Sequence, residues 1–209
     1  MDKLQQAINV FDKRAVQYQD KFMDVALYHD SFDLFCNSIP KQEAAVLEIA
    51  CGPGNITKYL LQQRPDIHVL GIDLAPNMLE LARSNNLSAE FILMDARDIL
   101  RLNKLFEGIM CGFCLPYLSR EEAVKMIGDA ARLLAPGGVF YISTMEDDYA
   151  RSGIQRSSAG DELYMYYHQA DYLVNALKEN GFKIMDLQRK QYPAADGSTT
   201  TDLIIIGGL

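Results

Sequence analysis

The chain has 209 residues, 49% of them hydrophobic and 23% charged, which is room for one globular domain with a sizeable core. Its formal net charge of −8 disfavours a nucleic-acid or anionic-membrane surface, because both require cationic patches. Four cysteines, Cys36, Cys51, Cys111 and Cys114, do not make a disulfide framework at this length. No apolar run approaches a membrane span, and Met1-Asp2-Lys3 opens no signal-peptide core. A cytoplasmic monomer or homodimer with no nucleic-acid or membrane partner is expected.

Residues 3–39 predict two helices ahead of the first core strand. Leu4, Ile8, Phe11, Ala15, Tyr18 and Phe22 alternate spacings of four and three and form one apolar face. Phe22, Val25, Phe32, Phe35 and Ile39 form a second, and Pro40 ends the pattern. The first face either packs in the core or walls a pocket. His29 reads as a surface or pocket-rim residue.

From Ala45 to Ser143 strand and helix alternate. Strands are predicted at 45–50, 67–73, 89–94, 106–113 and 137–143, with helices at 54–63, 76–85 and 119–134. Alternation of this kind implies a parallel sheet with right-handed crossovers and helices on both faces. Pro76 suits a first helical turn, Ser119-x-x-Glu122 reads as a capping box, and Pro136-Gly137-Gly138 as a turn into the next strand. The polar stretch from Glu146 to Gly160 is either a lid or a plain connection. Leu163 to His168 reads as a short strand or the anchored end of that loop. A helix carrying Leu173, Ala176 and Leu177 stops at Asn180-Gly181. Ile184–Tyr192 and Thr200–Ile206 then read as strands around a hairpin signal, Pro193-Ala194-Ala195-Asp196-Gly197.

The run Val46-Leu47-Glu48-Ile49-Ala50 leads straight into Cys51-Gly52-Pro53-Gly54-Asn55. Gly52 and Gly54 permit a sharp turn and a close ligand approach, and the helix amides beyond favour a negative group. Asp73 closes the next apolar run about 20 residues further on, where an acid suits ribose hydroxyls. This is a nucleoside-binding βαβ unit. A dinucleotide fingerprint needs a third glycine where Thr57 stands, so nicotinamide cofactors are not expected.

The pattern Glu48-x-x-Cys51-Gly52-x-Gly54 instead resembles motif I of the class I S-adenosylmethionine-dependent methyltransferases. The resemblance continues through Gly71-Ile72-Asp73-Leu74-Ala75-Pro76-Asn77-Met78, Phe91-Ile92-Leu93-Met94-Asp95-Ala96 and Leu133-Leu134-Ala135-Pro136-Gly137-Gly138-Val139. Phe11-Asp12-Lys13-Arg14-Ala15-x-x-Tyr18 looks like an N-terminal pattern of the family's small-molecule members.

The resemblance implies an α/β, Rossmann-like doubly wound fold. Its seven-stranded sheet would be mostly parallel, with an antiparallel last strand and an N-terminal helical cap. Residues 1–209 would form one methyltransferase domain: a cap at 1–39, a cofactor-binding core at 45–143, and a substrate-side loop, helix and closing hairpin at 144–209. By the same resemblance Ala50, Gly52 and Gly54 would line the methionine part of S-adenosylmethionine, Asp73 the ribose, and Leu74 and Met78 the adenine. Asp95 would accept from the exocyclic amine, its alternative being a helix or loop cap. Glu48 would sit behind the glycine turn, and Cys51, Asn55, Ala96, Gly112 and Phe113 complete the expected cofactor set.

Methyl transfer to an activated sulfonium carbon needs alignment, a dry pocket and sometimes a base, so no fixed triad is expected. His168, Tyr117 and Tyr18 are the candidate catalytic or orienting groups, each with a packing role as the alternative. No metal site is expected. Cys111-Gly112-Phe113-Cys114-Leu115-Pro116-Tyr117 stands where enzymes methylating base or glutamine amino groups carry an Asn/Asp-Pro-Pro-aromatic run. The departure and the acidic charge point to a small-molecule acceptor. Two rivals stay open: a dithiol redox protein using Cys111 and Cys114, and a non-catalytic binder of the cofactor or its demethylated product. Cys51, Cys111 and Cys114 are expected near the cofactor's sulfur end, with the Cys51 thiol acidified by the adjacent helix N-terminus.

Overall fold

The computed structural model describes residues 3–156, 160–193 and 199–209. Three helices come first: α1 (Lys3–Lys13), α2 (Ala15–Phe22) and α3 (His29–Asn37). The alternating part follows as β1 (Ala45–Ile49), α4 (Asn55–Gln63), β2 (His68–Asp73), α5 (Pro76–Asn85), β3 (Glu90–Leu93), β4 (Phe106–Cys111), α6 (Arg120–Leu133) and β5 (Leu134–Glu146). The remainder is β6 (Gly153–Arg156), β7 (Glu162–Met165), α7 (Ala170–Glu179), β8 (Lys183–Pro193) and β9 (Thr199–Gly208).

Seven strands make one sheet in the order β3-β2-β1-β4-β5-β9-β8. β1 to β5 pair in parallel, while β9 runs antiparallel to both neighbours. This is the Rossmann-like doubly wound sheet with its antiparallel last strand. β6 and β7 form a separate two-stranded ribbon. On one face α3 and α4 bring Phe32, Phe35, Ile39 and Leu60 against Val46, Met110, Tyr141 and Ile204. On the other, α6 and α7 bring Ile127, Leu133, Leu173 and Leu177 against Leu47, Ile109, Phe140 and Ile205. A sheet covered on both faces explains why β1 is buried from Val46 to Ile49 rather than alternating.

The structure departs from the expected elements in four places. The N-terminal segment holds three helices, not two. Arg14 leaves helical geometry at φ −106°, ψ 16°, yet Arg14 N–H still donates to Val10 O and Tyr18 N–H to Arg14 O, each at 2.9 Å. The ladder therefore runs on, and one apolar periodicity spans two helices. Asp24 then accepts from Ala26 N–H at 2.9 Å and starts a 3₁₀ turn at Ala26–Tyr28 that separates α2 from α3.

The fifth strand begins at Leu134, ahead of the Pro-Gly-Gly turn. Phe106 faces Leu134 and Gly108 faces Val139, so five positions of β5 oppose two of β4, and Gly137 (φ +78°) sits in the excursion. The fourth strand ends at Cys111 rather than residue 113, because Phe113 turns to φ +56°. Between β3 and β4 lies a 3₁₀ segment, Ala96–Leu102, capped by Asp95. Leu163–Met165 is indeed strand, in the β6–β7 ribbon. Of the hairpin signal, residues 194–197 lie outside the described residues, although the β8–β9 pairing itself is present.

Candidate functional site

The site starts where β1 runs out. Ala50, Gly52 and Gly54 have φ of +55°, +53° and +75°, left-handed values that cost an alanine and suit glycine. Asp73, at the end of β2, holds this turn: its Oδ2 accepts from Gly52 N–H at 2.9 Å and its Oδ1 from Ala75 N–H at 2.8 Å. The two glycines differ in purpose. A β-carbon on Gly54 would lie 2.3 Å from Asn86 Nδ2 and 3.2 Å from Ala82 Cα, so this glycine lets α5 approach. A β-carbon on Gly52 would meet nothing nearer than Tyr18 Cε1 at 3.8 Å, so the backbone there faces open space. Behind the turn the buried Glu48 accepts a hydrogen bond from Thr57, the residue standing in the third-glycine place. Burial pushes the Glu48 carboxyl up to about 8 against the hydrogen bond from Thr57.

In front of the turn lies a cavity of about 760 Å³, its open mouth included, within the usual range of roughly 300–1,000 Å³ for small-molecule sites. Ala50, Gly52, Asp73, Leu74, Met78, Asp95, Ala96, Gly112 and Phe113 all line it, as do Tyr18 and Tyr117. Glu48, Cys51, Gly54, Asn55 and His168 do not. Asn55 instead donates from Nδ2 to Phe22 O at 2.8 Å, tying the glycine turn to α2. The roof is α1, which contributes Leu4, Ala7, Ile8 and Phe11, with Tyr18 from α2. Thus the first N-terminal apolar face is a pocket wall, while Val25, Phe32, Phe35 and Ile39 of the second are core. Ala7, Ala75, Met94 and Leu118 also line the cavity without having been anticipated. Ala75 and Met94 adjoin Leu74 and Asp95, so the motifs carried a signal for them.

Charge is distributed unevenly around this space. Burial raises the Asp73 carboxyl against the backbone donors that hold it. Burial pushes Asp95 the same way, but the Arg97 guanidinium, 2.6 Å from Asp95 Oδ2, and Arg97 N–H outweigh it and keep the carboxyl low. Asp95 is therefore a 3₁₀ cap that also faces the cavity. Burial pushes the Tyr18 hydroxyl up to about 12 and Tyr117 higher still. Neither supplies a phenolate base at neutral pH. His29 lies away from the cavity, stacked on Tyr59 with ring centroids 4.2 Å apart.

His168 is wholly buried, and both ring nitrogens are occupied. Nε2 lies 2.8 Å from Leu115 O; a carbonyl only accepts, so Nε2 carries the proton and Nδ1 accepts from Tyr172. Burial pushes this imidazole down to about 4. Alongside it the Arg120 guanidinium lies 4.6 Å from the Tyr149 ring and 4.7 Å from the Tyr172 ring. His168 thus joins an anchor for the start of α6 and α7, and it does not reach the cavity.

The thiols do not behave as the spacing suggests. All four cysteines are free and buried. Burial first, then Glu48 and Asp73, raises the Cys51 thiol well above its ordinary value, overriding any acidifying helix terminus. Cys111 is raised likewise, by burial and by Cys114, and its Sγ packs 3.8 Å from Met126 Sδ. Of the three, Cys114 alone lines the cavity. Cys51 and Cys111 are therefore packing groups. Among the described residues no group of three metal-ligating side chains comes together, and no helix is long and apolar enough to cross a membrane.

The arrangement can take a nucleoside carrying a charged chain. It offers an acid at the β2 end, apolar flanks from Leu74 and Met78, and a bare backbone cradle at Gly52. Comparison with known proteins agrees. Residues 46–138 match the family model described as a methyltransferase domain. A ubiquinone biosynthesis O-methyltransferase of Xylella fastidiosa is 30% identical over 118 residues, which are 54% of this chain and 46% of that protein. The chain thus spans less than half the length of that relative. An uncharacterized methyltransferase of a Geobacillus species is 26% identical over 87% of this chain and 89% of its own. Among solved structures, an N-methyltransferase, NodS, from Bradyrhizobium japonicum in complex with S-adenosyl-L-homocysteine superposes with a TM-score of 0.71. It has 18% identity and covers 99% of this chain and 98% of its own, which establishes the shared fold. Residues 46–138, a little under half of the chain, match a methyltransferase domain, and the fold of the whole is the one shared with solved methyltransferases.

Proposed function

We propose that the chain transfers the methyl group of S-adenosylmethionine to a small-molecule acceptor, residues 1–209 acting as one catalytic unit. One observation carries the reading. A single cavity is walled on one side by the βαβ unit and on the other by side chains of α1, α2 and the segment after β4. Asp73 takes the ribose hydroxyls, Leu74 and Met78 flank the adenine, and the Asp95–Ala96 corner meets its edge. Ala50 and Gly52 leave the backbone bare for the methionine part. Glu48, Gly54 and Asn55 act from behind by fixing the turn. When bound, S-adenosylmethionine supplies a methyl carbon already activated by its sulfonium. What the protein adds is alignment and exclusion of water by the apolar roof. Tyr18 and Tyr117 orient the acceptor. The acidic chain and the enclosed roof favour a metabolite over a polymer. The test is calorimetric binding of S-adenosylmethionine, followed by formation of S-adenosylhomocysteine with a metabolite extract. Binding without any acceptor-dependent product would favour a non-catalytic sensor instead.

A further inference from the structure

We propose that the methyl acceptor is an amine nitrogen, held against the ring wall formed by Phe11, Tyr18, Phe113 and Tyr117; this rests on the methyl-transfer reading above. Phe11 is the hub of the wall, edge-to-face with Tyr117 at 5.0 Å and with Tyr18 at 5.7 Å. All four rings line the cavity, and Phe11 and Tyr18 also pack on the cluster of Ala15, Ala75 and Met78. The titratable groups that face this space are Tyr18, Asp73, Asp95, Cys114 and Tyr117. Among the described residues no lysine, arginine or histidine lines it.

That inventory discriminates between acceptor chemistries. A carboxylate, thiolate or phenolate would lose its hydration in an apolar space with two carboxylates nearby and no protein cation, leaving the donor's sulfonium as its counter-charge. A neutral hydroxyl would need a base. Asp73 is held by two backbone amides, Asp95 is held by Arg97, and both tyrosines stay protonated. A neutral amine needs neither; the ammonium form gives a proton to water before the step. The amine lone pair forms the N–C bond as the C–S bond breaks, and the C–S electron pair stays on sulfur. The positive charge moves from sulfur to nitrogen, and no proton moves in that step; an ammonium N–H proton is lost to water afterwards. The site holds one positive charge throughout, and aromatic faces attract such a charge at either end of the transfer. The Tyr18 and Tyr117 oxygens serve as acceptors for the amine N–H groups.

The test uses binding, so it does not depend on knowing the natural acceptor. The full chain, saturated with S-adenosylhomocysteine, is titrated by calorimetry with benzyltrimethylammonium, benzoate and benzyl alcohol. The expected result is saturable binding of the cation, about tenfold tighter than either of the others. Phe11→Leu and Tyr117→Leu should each weaken it several-fold, within the roughly 0.5–2 kcal/mol of a cation–ring contact, and Tyr117→Leu should leave S-adenosylhomocysteine affinity within about threefold. Benzoate binding as tightly as the cation, or no saturable binding of the cation, would overturn the amine assignment and leave the methyl-donor reading standing. Failure of S-adenosylhomocysteine itself to bind would remove both.

Discussion

Asp73 does two things at once: it pins the glycine turn through Gly52 and Ala75, and it faces the cavity. Losing a charged acceptor of this kind costs roughly 1.5–3 kcal/mol. Asp73→Ala should therefore weaken S-adenosylmethionine about 10- to 100-fold; unchanged affinity by calorimetry in the folded variant would refute the ribose role. Gly52→Val should abolish binding, because the branched side chain would fill the open space the ligand needs, and the φ of +53° should lower stability without a collision inside the fold. Glu48 makes a prediction of a different kind. Its folded value, about 8, lies above the ordinary 4.5, so stability is full below about pH 4.5 and falls as pH rises toward 8, by at most about 1.4 kcal/mol per unit. Glu48→Gln keeps an acceptor for Thr57 without the charge. Its melting temperature should exceed that of the parent at pH 8 and match it at pH 4.5; equal melting at both would count against a neutral Glu48. Gly52 and Asp73 were legible in the sequence because ligand chemistry demands those residue types at one spacing. His168 was not, since its partners Leu115 and Tyr172 meet it only through the fold. Cys51 carried the wrong sign for a related reason: spacing reveals the helix beside it but not the depth of its burial.

The roof helix α1 is fastened by its neighbours rather than by its own sequence. Asp12 Oδ1 accepts from Asn77 N–H at 2.7 Å and Asn77 Nδ2 donates to Asp12 O at 3.0 Å. Asp12 thus caps α5, whose own N-cap position is Ala75 and offers no side-chain acceptor. Asp12→Ala should cost about 1 kcal/mol and raise amide exchange in α1 and at the start of α5, with β1 and β4 unchanged; exchange equal to the parent in α1 would show that the clamp is idle. The order of strands and helices from β1 to α6 could be read from hydrophobic period alone, since parallel strands covered on both faces need continuous apolar runs. Boundaries set by single side-chain bonds could not. Asp24 starting a 3₁₀ turn and the excursion of β5 around Gly137 depend on neighbours that periodicity does not contain.

Over the whole molecule, the segment carrying the β6–β7 ribbon is tied to the helical cap that roofs the cavity. Gln6 Nε2 donates to Glu162 O at 3.0 Å, Arg14 Nε lies 2.8 Å from Asp161 Oδ2, and Lys3 Nζ lies 3.5 Å over the Tyr164 ring. A ligand in the cavity binds the folded form alone. At 100 times its dissociation constant, S-adenosylhomocysteine should add about 2.7 kcal/mol, which for a chain of this size is a rise of about 5–10 °C in melting temperature; no shift would argue against a built site. The placement of β9 has a further consequence, in the order of synthesis. Leu203 to Ile206 are buried between β5 and β8, so residues 199–208 fill the interior of the sheet although they are translated after the other described strands. Until they leave the ribosome, the long apolar edge of β5 has no partner on that side, a template for intermolecular pairing. Nascent chains arrested before residue 199 should stay protease-sensitive and chaperone-bound, and extending the arrest point past residue 209 plus the length of the exit tunnel should abolish both together.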